Sequence, residues 1–407
     1  MQRGSRALRV LVAGHASEPS GAELALVRQL ERLRRLGIDV QACFGSDGAA
    51  AAMARDAGAR VHILELPRDL LERRRGDLRL FADTLRFAPA VMSGARLVAA
   101  IARAERIDVV SAYSMKAFAY ASMGARLANV PLLWQLHDIP ALPYFSASAQ
   151  RAFRAMLRTA RPRLVIVHSQ AMVRALPSVP TAIVPHGVHR HAATPPRPAH
   201  GGVLRLGMAA RLAEWKGQHV VIDALAQLPA ETLAGVQLRM AGAPWFGEAA
   251  YAERLHRLVA ERGLETTVQF AGHLSDVAAF YRDVDVAVHA STVPEPFGNA
   301  VVEALAAGLP VIASNAGGVA EILNGCDGAI LVPAGDAAAL ARAISGLAAE
   351  DPAQLRRRSL AARVRARRYD ARLEAILLAR CFRAVAANEP PRLSRRRSPG
   401  LVTAAVA

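Results

Sequence analysis

Two glutamates and two glycine-containing turns lie close together in the segment VPEPFGNAVVEALAAGLPVIASNAGGVAEI, residues 293–322. Glu295 comes just before a Pro-Phe-Gly-Asn turn, and Glu303 lies eight positions further on. Helix N-termini after such turns present free N–H groups that suit a phosphate, whereas a carboxylate repels phosphate but accepts hydrogen bonds from a vicinal diol such as a ribose. Either glutamate alone would more readily be a solvated residue of a surface helix. The ordered combination indicates a nucleotide ligand.

The local elements of this segment follow from its helix and strand signals. Asn299 is expected to cap a helix, with Glu303 about one turn inside it. Residues 310–314 have the composition of a buried strand, and Gly317 and Gly318 are expected to open a second short helix. The segment therefore predicts loop, helix, strand, loop and helix in that order.

The composition favours a globular protein of two or three domains, since 407 residues can bury substantial cores. The chain is 53% hydrophobic, but no uninterrupted apolar run reaches the length of a membrane span, and the apolar run at the N-terminus is too short for a signal peptide. Its three cysteines lack the spacing of a metal site and are odd in number. These features predict a reducing compartment without disulfides, and a cytoplasmic location.

The formal net charge of +17 raises the question of an acidic partner. No helix-turn-helix, zinc-finger or aromatic-interleaved basic pattern accompanies it, so we expect no nucleic acid partner. The arginine-rich stretch 356–368 and the basic tail could instead hold the protein peripherally on the anionic inner face of the cytoplasmic membrane. A solvated helix face is the alternative interpretation of that stretch. Only Lys116 and Lys216 are lysines in this arginine-rich chain.

Strand-like and helix-like runs alternate along the whole chain, which is typical of α/β folds with parallel sheets. The alternation breaks at a stretch rich in proline, histidine and glycine, which indicates a linker between two doubly wound, Rossmann-like domains. The predicted organisation is a first domain over 1–190, a linker over 191–202, a second domain over 203–370, a helix over 371–390 that could return to the first domain, and a basic disordered tail over 391–407.

Ligands in doubly wound sheets bind beyond the carboxyl ends of the strands. In the second domain these positions are residues 211–216, Gly272 with His273, and the opening segment that follows the strand VAVHAS. In the first domain they are the loop 14–21, Lys116 and His137. Two such edges facing one another across a cleft would suit a reaction between two substrates.

These residues resemble the retaining, nucleotide-sugar-dependent glycosyltransferases of the two-Rossmann-domain, or GT-B, architecture. The most specific element is E-P-F-G-N-x-x-x-E at 295–303, followed by the glycine pair at 317–318. Supporting elements are RLAEWKG at 211–217, VPHGV at 184–188 and the His-Asp pair that begins at His137. The resemblance covers most of the chain, from the Gly-Ala-Glu that begins at residue 21 to the helices near residue 375.

The resemblance implies a role for each matching residue. Arg211 and Lys216 would hold the donor diphosphate, and Glu303 would bind the ribose hydroxyls. The other implied contacts are Glu295 with the backbone of Phe297, Gly298 and Asn299 at the donor sugar, Gly317 and Gly318 in the donor site, Gly272 and His273 near the base, Gly21 near the phosphates, and His137 near the sugar and the reacting centre. The resemblance thus implies a catalytic set of Glu295, His137, Lys216 and Arg211.

The donor is a substrate in this interpretation, and no cofactor or metal is expected. The D-x-D pair of Asp283 and Asp285 falls at the amino end of its strand, which is the wrong end for a ligand, so a structural role is expected. The function implied is transfer of a sugar, with retention of its anomeric configuration, to a glycan or lipid-linked acceptor in cell-surface polysaccharide or glycolipid synthesis. Lys116 is a candidate contact for an acidic acceptor, or simply an exposed helix lysine.

Other functions share this fold. A nucleotide-sugar epimerase and a phosphorylase-like enzyme remain alternatives, as does a binding protein without catalytic activity. A nicotinamide dehydrogenase is disfavoured because the first βα loop, AGHASEPSGAE, lacks the G-x-G-x-x-G pattern.

Overall fold

The computed structural model describes residues 6–14, 21–71, 80–141, 145–188, 202–245, 247–274 and 276–391. The chain forms two compact units, an N-terminal unit of Met1–Pro185 with Arg372–Ala407 and a C-terminal unit of His186–Ala371. The expected linker up to residue 201, and the expected basic tail after residue 391, lie outside the described residues.

The N-terminal unit is built on a parallel sheet of seven strands in the order β3-β2-β1-β4-β5-β6-β7. The strands are β1 Arg9–Ala13, β2 Asp39–Phe44, β3 Arg60–Ile63, β4 Val109–Ala112, β5 Leu132–Gln135, β6 Leu164–Val167 and β7 Thr181–Ile183. The connecting helices are α1 Gly21–Arg35, α2 Ala49–Asp56, α3 Arg68–Leu71, α4 Leu80–Ala104, α5 Met115–Ala128, α6 Ala147–Ala160 and α7 Gln170–Ala175.

The C-terminal unit repeats this design with six parallel strands in the order β10-β9-β8-β11-β12-β13. The strands are β8 Leu204–Ala209, β9 Val236–Ala241, β10 Val268–Gly272, β11 Val286–His289, β12 Val311–Ser314 and β13 Ala329–Val332. The helices are α8 Gln218–Leu225, α9 Ala230–Ala234, α10 Ala249–Glu261, α11 Val277–Arg282, α12 Asn299–Ala307, α13 Gly317–Leu323, α14 Ala337–Ala348 and α15 Pro352–Ala366, with 3-10 turns at Glu214–Lys216 and Arg367–Tyr369.

Each predicted strand-like run forms a strand of one of the two sheets, so the predicted doubly wound α/β fold is confirmed. Parallel strands covered by helices on both faces are continuously apolar, and β4, β5 and β6 are buried along their whole length. In each sheet the strand order reverses direction beside the first strand, between β1 and β4 and between β8 and β11. The crevice at such a reversal is where ligands bind in these folds.

The last helix, α16 Ala371–Ala387, belongs to the core of the N-terminal unit. Its buried side chains Leu378, Phe382 and Val385 join the cluster that includes Val10 of β1. The side chain of Glu374 forms a nearly buried ion pair with Arg32 of α1, at 3.4 Å. The C-terminal segment of the chain thus contributes apolar packing and a charge pair to the unit in which the chain begins.

Within the described residues, one helix is long and apolar enough to cross a membrane, judged by length and composition alone. It is the segment Arg86–Ala104 of α4, which is 28% buried within the protein. Arg96 and Arg103 lie within this segment, so it is not an uninterrupted apolar run. Its buried residues, among them Val98 and Ala102, pack in the core that also holds Phe118 of α5.

Candidate functional site

In the C-terminal unit, the loops after β8 and β11 meet at the reversal of strand order. The backbone N–H of Thr292 donates to the carbonyl of Trp215 at 2.9 Å, which ties the two loops together. Gly217 has φ +76°, and a Cβ at this position would clash with the carbonyl oxygen of Ala290. Glycine is therefore required here by both conformation and space. This close approach brings together residues almost 80 positions apart in the sequence, because β8 and β11 are neighbours in the sheet although β9 and β10 lie between them in the chain.

The indole of Trp215 is flanked by both cations predicted to hold a diphosphate. The Lys216 Nζ lies 4.2 Å from the Trp215 ring centroid, and the Arg211 guanidinium carbon lies 5.8 Å from it. The buried Gln218 fixes the turn by donating to the carbonyl of Arg211 at 2.8 Å. The structure thus brings Arg211 and Lys216 together on one aromatic side chain, where cation–π attraction favours their position.

Glu295 is buried and sits at the centre of a hydrogen-bond network. Its Oε1 accepts from Lys216 Nζ at 2.6 Å, from His289 Nε2 at 2.9 Å, and from the Ser291 hydroxyl. Burial by itself raises the pKa of the Glu295 carboxyl, but the charge of Lys216, the charge of His289 and the hydrogen bonds from both outweigh it and hold the pKa well below its usual range. Glu295 is therefore a carboxylate at neutral pH.

The two carboxylate oxygens of Glu295 are unequal. All three donors converge on Oε1, and Oε2 receives no hydrogen bond from any residue in the described part of the chain. The two oxygens of a carboxylate together offer about four acceptor sites. The Oε2 atom is thus held in a fixed place by the network and keeps its capacity to accept from hydroxyl groups.

Helix α12 begins directly after this carboxylate. Asn299 was predicted as its N-cap, and this is wrong, because Gly298 takes the cap position with φ +124° and Asn299 is the first helical residue. Glycine occupies the cap because this φ is rarely adopted by other residues, and a Cβ there would lie 2.6 Å from Val319. The N–H groups of Asn299 and Ala300 make no hydrogen bond within the described residues, so they can receive an anion.

Glu303 lies one turn inside α12, as the sequence predicts, and its side chain is half-buried in the structure. It lies close enough to Tyr281 that, after burial, its charge is the second cause that raises the pKa of the Tyr281 phenol well above its usual range. The Tyr281 hydroxyl donates to the carbonyl of Ala300 at 3.0 Å. Glu303 is thus a carboxylate adjacent to the open N-terminus of a helix.

The glycine pair at the start of α13 has a packing role that the sequence analysis did not foresee. The N–H of Gly318 donates to the carbonyl of Glu295 at 2.8 Å, and Gly317 pairs with Glu295 in an isolated parallel bridge. A Cβ on Gly318 would lie 2.7 Å from the Cα of Phe297. These glycines therefore let α13 abut the loop of Glu295, and the Gly318 N–H is already occupied within the protein.

Gly272 and His273 lie at the carboxyl end of β10. Gly272 has φ +67°, and a Cβ added at this position would have no atom within 4 Å. The ring centroids of His273 and Trp245 lie 5.3 Å apart. Trp245 follows β9, so the two rings stand at neighbouring strand ends. They form a partly exposed aromatic surface at the edge of the sheet.

The D-x-D pair has the structural role that was expected. Asp285 precedes β11 and holds Arg205 by three hydrogen bonds, at 2.8, 2.9 and 3.0 Å, while Asp283 lies 3.6 Å from Arg239. The Asp285 hydrogen bond is the largest cause of a raised pKa of the Arg205 guanidinium. Both carboxylates form ion pairs with arginines at the amino edge of the sheet.

In the N-terminal unit, His137 follows β5 and His168 follows β6. His168 is 4% exposed, its Nδ1 lies 2.9 Å from the carbonyl oxygen of Val184, and its Nε2 lies 2.9 Å from Nδ1 of His137. The ring of Tyr113 lies 4.4 Å from that of His137. Burial raises the pKa of the Tyr113 phenol well above its usual range, and the nearby carboxylates of Glu374 and Glu23 add to the rise.

The remaining predicted residues of this unit are only partly defined. Lys116 occupies the first turn of α5, whose N-cap Ser114 accepts a hydrogen bond from the N–H of Ala117 at 3.1 Å. Gly21 is the first residue of α1, and residues 15–20 of the predicted phosphate loop lie outside the described residues. Gly14 is held by the Tyr120 hydroxyl, which donates to its carbonyl.

Four residues at these sheet edges were not identified as site residues from the sequence. His289 and Ser291 contact Glu295, His168 contacts His137, and Trp245 contacts His273. Each is at or just after the carboxyl end of a strand. Their position at strand ends, rather than any motif, is the signal that could have found them.

Solved structures of the GT-B architecture superpose on nearly the whole of this chain. HepE of Anabaena, solved with UDP and glucose, superposes with a TM-score of 0.74 at 27% identity, over 93% of this chain and 100% of that one. The sucrose-phosphate synthase of Thermosynechococcus elongatus superposes with a TM-score of 0.74 at 22% identity, over 94% and 100% of the two chains. The fold is therefore GT-B.

Sequence comparison gives the family. Residues 197–365 match the profile of Glycosyl transferases group 1, and residues 19–192 match that of Glycosyltransferase Family 4. The chain belongs to this group of glycosyltransferases. It is 34% identical to the lipopolysaccharide core biosynthesis glycosyltransferase LpsE of Rhizobium meliloti over 36% of this chain, and 28% identical to the mannosyltransferase LpcC of Rhizobium leguminosarum over 54%. These alignments span 40% of LpsE and 65% of LpcC, less than two thirds of either relative.

Proposed function

We propose that the protein transfers a sugar from a nucleoside-diphosphate sugar to a glycan or lipid-linked acceptor in cell-surface polysaccharide or glycolipid synthesis. The observation that carries this proposal is the assembly of Arg211, Lys216, Glu295 and the start of α12 at one reversal of strand order. Relatives named for lipopolysaccharide core biosynthesis, and a similar structure solved with UDP-glucose, support the same substrate class.

Each part of the donor has a matching group in the C-terminal unit. Arg211 can hold diphosphate oxygens with its planar fork, and Lys216 has three donors, of which one is used by Glu295. The open N–H groups at the start of α12 complement the same negative charge. Glu303 then accepts from the ribose diol, and Oε2 of Glu295 accepts from hydroxyls of the donor sugar.

The nucleobase is assigned to the carboxyl ends of β9 and β10. The rings of Trp245 and His273 offer a partly exposed aromatic face, and stacking on such a face is worth about 1–3 kcal/mol per base in single-stranded nucleic acid complexes. Gly272, whose missing side chain leaves open space, lets a ligand approach the backbone there.

The chemistry proposed is attack on the same face as the leaving diphosphate, with retention of anomeric configuration and without a metal ion. Glu295 is assigned a positioning role, because three donors hold its Oε1 in place and its low pKa makes it a poor proton donor or acceptor. Arg211 and Lys216 supply the positive charge that the leaving diphosphate needs. An epimerase or a phosphorylase-like enzyme would use the same donor site, but the matched families do not favour either.

A ligand screen tests the donor assignment. Each of a set of nucleoside diphosphates and nucleotide sugars is added to the full chain, and the thermal midpoint is recorded. A ligand at 100 times its Kd should stabilise the protein by about 2.7 kcal/mol through linkage. We expect one base to stand out, and the Trp245→Ala variant to lose most of that stabilisation. A chain that no nucleotide stabilises would contradict the proposal.

A peripheral location on the inner face of the cytoplasmic membrane is proposed for the same enzyme. The solvent-facing side of α15 carries Leu360 and Val364, one turn apart and 57% and 59% exposed, with the exposed Arg356 and Arg357 before them and Arg367 after them. Apolar side chains bordered by arginines suit the boundary between lipid headgroups and acyl chains. Near an anionic surface each arginine contributes about 1 kcal/mol, so the three together contribute about 3 kcal/mol.

Two other arginines of the same stretch bind groups within the protein. Arg358 pairs with Glu350 at 2.6 Å, and the buried Arg365 donates to the carbonyls of Ile322, Asn324 and Gly325. Only the exposed side chains of this stretch are therefore available to a membrane surface.

Sedimentation with vesicles of mixed anionic and neutral lipid tests this surface. The full chain should bind at low salt and less at high salt. Replacing Arg356, Arg357 and Arg367 with glutamate should abolish binding. The control places the same charge change on exposed arginines of α6, Arg151, Arg154 and Arg158, and should keep it. An equal loss of vesicle binding in both variants would show that binding depends only on net charge, and would contradict the proposed membrane-facing surface on α15.

A further inference from the structure

Three donors hold one oxygen of the buried Glu295, and they differ in how firmly the fold fixes them. His289 is the last residue of β11, where it pairs in register with Ala313 of β12, and its side chain is 9% exposed. Ser291 lies two residues further on and is 1% exposed. Lys216 instead reaches Oε1 with a flexible four-carbon stem, and its side chain is 18% exposed. Two of the three donors are therefore fixed at the end of a core strand, and the third can move.

The carboxylate determines where the protons of the two fixed donors lie. Glu295 is ionised and can only accept, so the Ser291 hydroxyl and Nε2 of His289 both carry the proton of their hydrogen bond to Oε1. The Ser291 oxygen also lies 3.3 Å from Nε2 of His289, close enough to share that N–H. The hydroxyl of Ser291 and Nε2 of His289 are thus both directed at the carboxylate.

The other nitrogen of His289, Nδ1, is buried and makes no hydrogen bond within the described residues. A buried polar atom without a partner destabilises a fold, so stability alone does not explain an imidazole at this position. Oε2 of Glu295 also receives no hydrogen bond from the described part of the chain, but this atom is not fully buried. The accessible acceptor of the cluster is therefore Oε2 of Glu295.

A bound diphosphate would compete with Glu295 for the charge of Lys216. Burial raises the pKa of Glu295, and two charged groups, Lys216 from the loop after β8 and then His289 from β11, lower it together with their hydrogen bonds. A diphosphate beside Lys216 adds negative charge near the carboxylate and so opposes the effect of Lys216. The contacts that do not depend on Lys216 are those from His289 and Ser291.

We propose that His289 and Ser291 are positioning residues that hold the Glu295 carboxylate in place, with Oε2 towards the donor sugar, while Lys216 binds the diphosphate. The parts played by Oε2 and the diphosphate rest on the proposed function, whereas the hold of the two donors on Glu295 does not. Loss of either donor leaves the carboxylate less well oriented, and a misplacement of about 1 Å near a reacting centre can cost about a hundredfold in rate.

Carbon-13 NMR of the full chain, labelled at the glutamate side-chain carboxyls, measures the ionisation of Glu295 directly. The Glu295→Gln spectrum identifies its signal. In the wild type we expect a carboxylate down to the lowest pH at which the chain stays folded. In Ser291→Ala and in His289→Leu a donor to the charged form is lost, so the carboxyl should take up its proton at a higher pH than in the wild type. His289→Gln keeps an N–H that can donate, and should shift the titration less than His289→Leu.

The pH profile of transfer separates a positioning role from a purely structural one. The sugar hydroxyls donate to an ionised Glu295, so transfer should fall on the acid side as this carboxylate is protonated. That fall should move to higher pH in Ser291→Ala and in His289→Leu. At the plateau of each profile kcat should be about tenfold to a hundredfold lower than in the wild type, and the Kd of the nucleotide sugar should change less.

Ser359→Ala is the matched control. Ser359 is also buried, and its hydroxyl donates to the carbonyl of Gly308 at 2.5 Å in the same unit, so its loss should lower the thermal midpoint without moving the titration of Glu295 or the pH profile. An unchanged Glu295 titration in Ser291→Ala, or an equal shift in Ser359→Ala, would overturn the inference. The expected titrations in a chain without transferase activity would refute the proposed function and leave the hold on Glu295 standing.

Discussion

Breaking the ion pair between Lys216 and Glu295 should destabilise the C-terminal unit far more than breaking an exposed pair beside it. Both partners are largely buried, with side chains 18% and 10% exposed. Removing one partner of a buried pair costs 3–5 kcal/mol, and since His289 and Ser291 remain as donors we expect Lys216→Met to cost about 2–4 kcal/mol. The double variant Lys216→Met with Glu295→Gln should recover much of this loss, because it leaves no buried charge unpaired.

The destabilisation caused by Lys216→Met should depend on pH, and the direction follows from the pKa of Glu295. In the wild type the pKa of Glu295 is held well below its usual range, so its ionised form stabilises the fold above the unfolded-state pKa and is lost only as pH falls through the folded value. Without Lys216, the charge that most lowers the pKa of Glu295 is lost and the effect of burial is less opposed, so the pKa of Glu295 rises. The difference between variant and wild type should therefore be greatest near pH 8 and shrink towards pH 5, as the variant carboxyl takes up a proton.

Amide hydrogen exchange measures this cost within one unit. Peptides from β8, β11 and β12 report the opening of the C-terminal sheet separately from the N-terminal unit. The matched control is Arg254→Met, which removes a pair with Glu214 whose side chains are 52% and 68% exposed, and should cost less than about 1 kcal/mol. Equal costs for the two variants, or a Lys216→Met cost that does not change with pH, would refute the reasoning.

The other predictions concern the donor. Glu303→Ala should weaken nucleotide-sugar binding by roughly 1.5–3 kcal/mol in a calorimetric titration, and Glu253→Ala on the exposed face of α10 should not; equal affinity would remove the ribose assignment. Lys216→Ala should lower kcat by roughly two to three orders of magnitude and weaken donor binding less, which steady-state kinetics with a separate Kd can check. A loss confined to KM would contradict it. Transfer should persist in excess EDTA, and restoration by Mg²⁺ or Mn²⁺ after EDTA inactivation would show that the metal-free mechanism is wrong.

The strands were predictable because each is a short apolar run bounded by turn residues. Buried parallel strands need such runs on both faces, so this signal survives without any knowledge of the partner strands. Helix starts were less predictable. At the start of α12 the side chain of Asn299 is a good cap by type, but the backbone at Gly298 adopts φ +124° to follow the loop packed against Val319, and that contact is not visible in the local sequence.

The site was predictable where a motif carried it and not where tertiary contacts did. The glutamates and cations belong to motifs, and the structure places Lys216 on Glu295. The donors His289 and Ser291 are recognisable only once the loop folds back on β11, and His168 only once β5 and β6 are known to be adjacent. Adjacent parallel strands bring their carboxyl ends together. Because β5 and β6 are consecutive in the chain, placing them side by side in the sheet could have suggested the contact between His137 and His168.

The most direct test of the central claim is the stoichiometry of transfer. The full chain is incubated with its stabilising nucleotide sugar and an extract of lipid-linked glycans, and released nucleoside diphosphate and new glycoside are both quantified. We predict equal amounts of the two in the wild type, the same anomeric configuration in product and donor by NMR, and neither product with Lys216→Ala above about one hundredth of the wild-type rate. Donor that binds but returns an epimerised nucleotide sugar, or that releases no diphosphate with any acceptor, would contradict the claim.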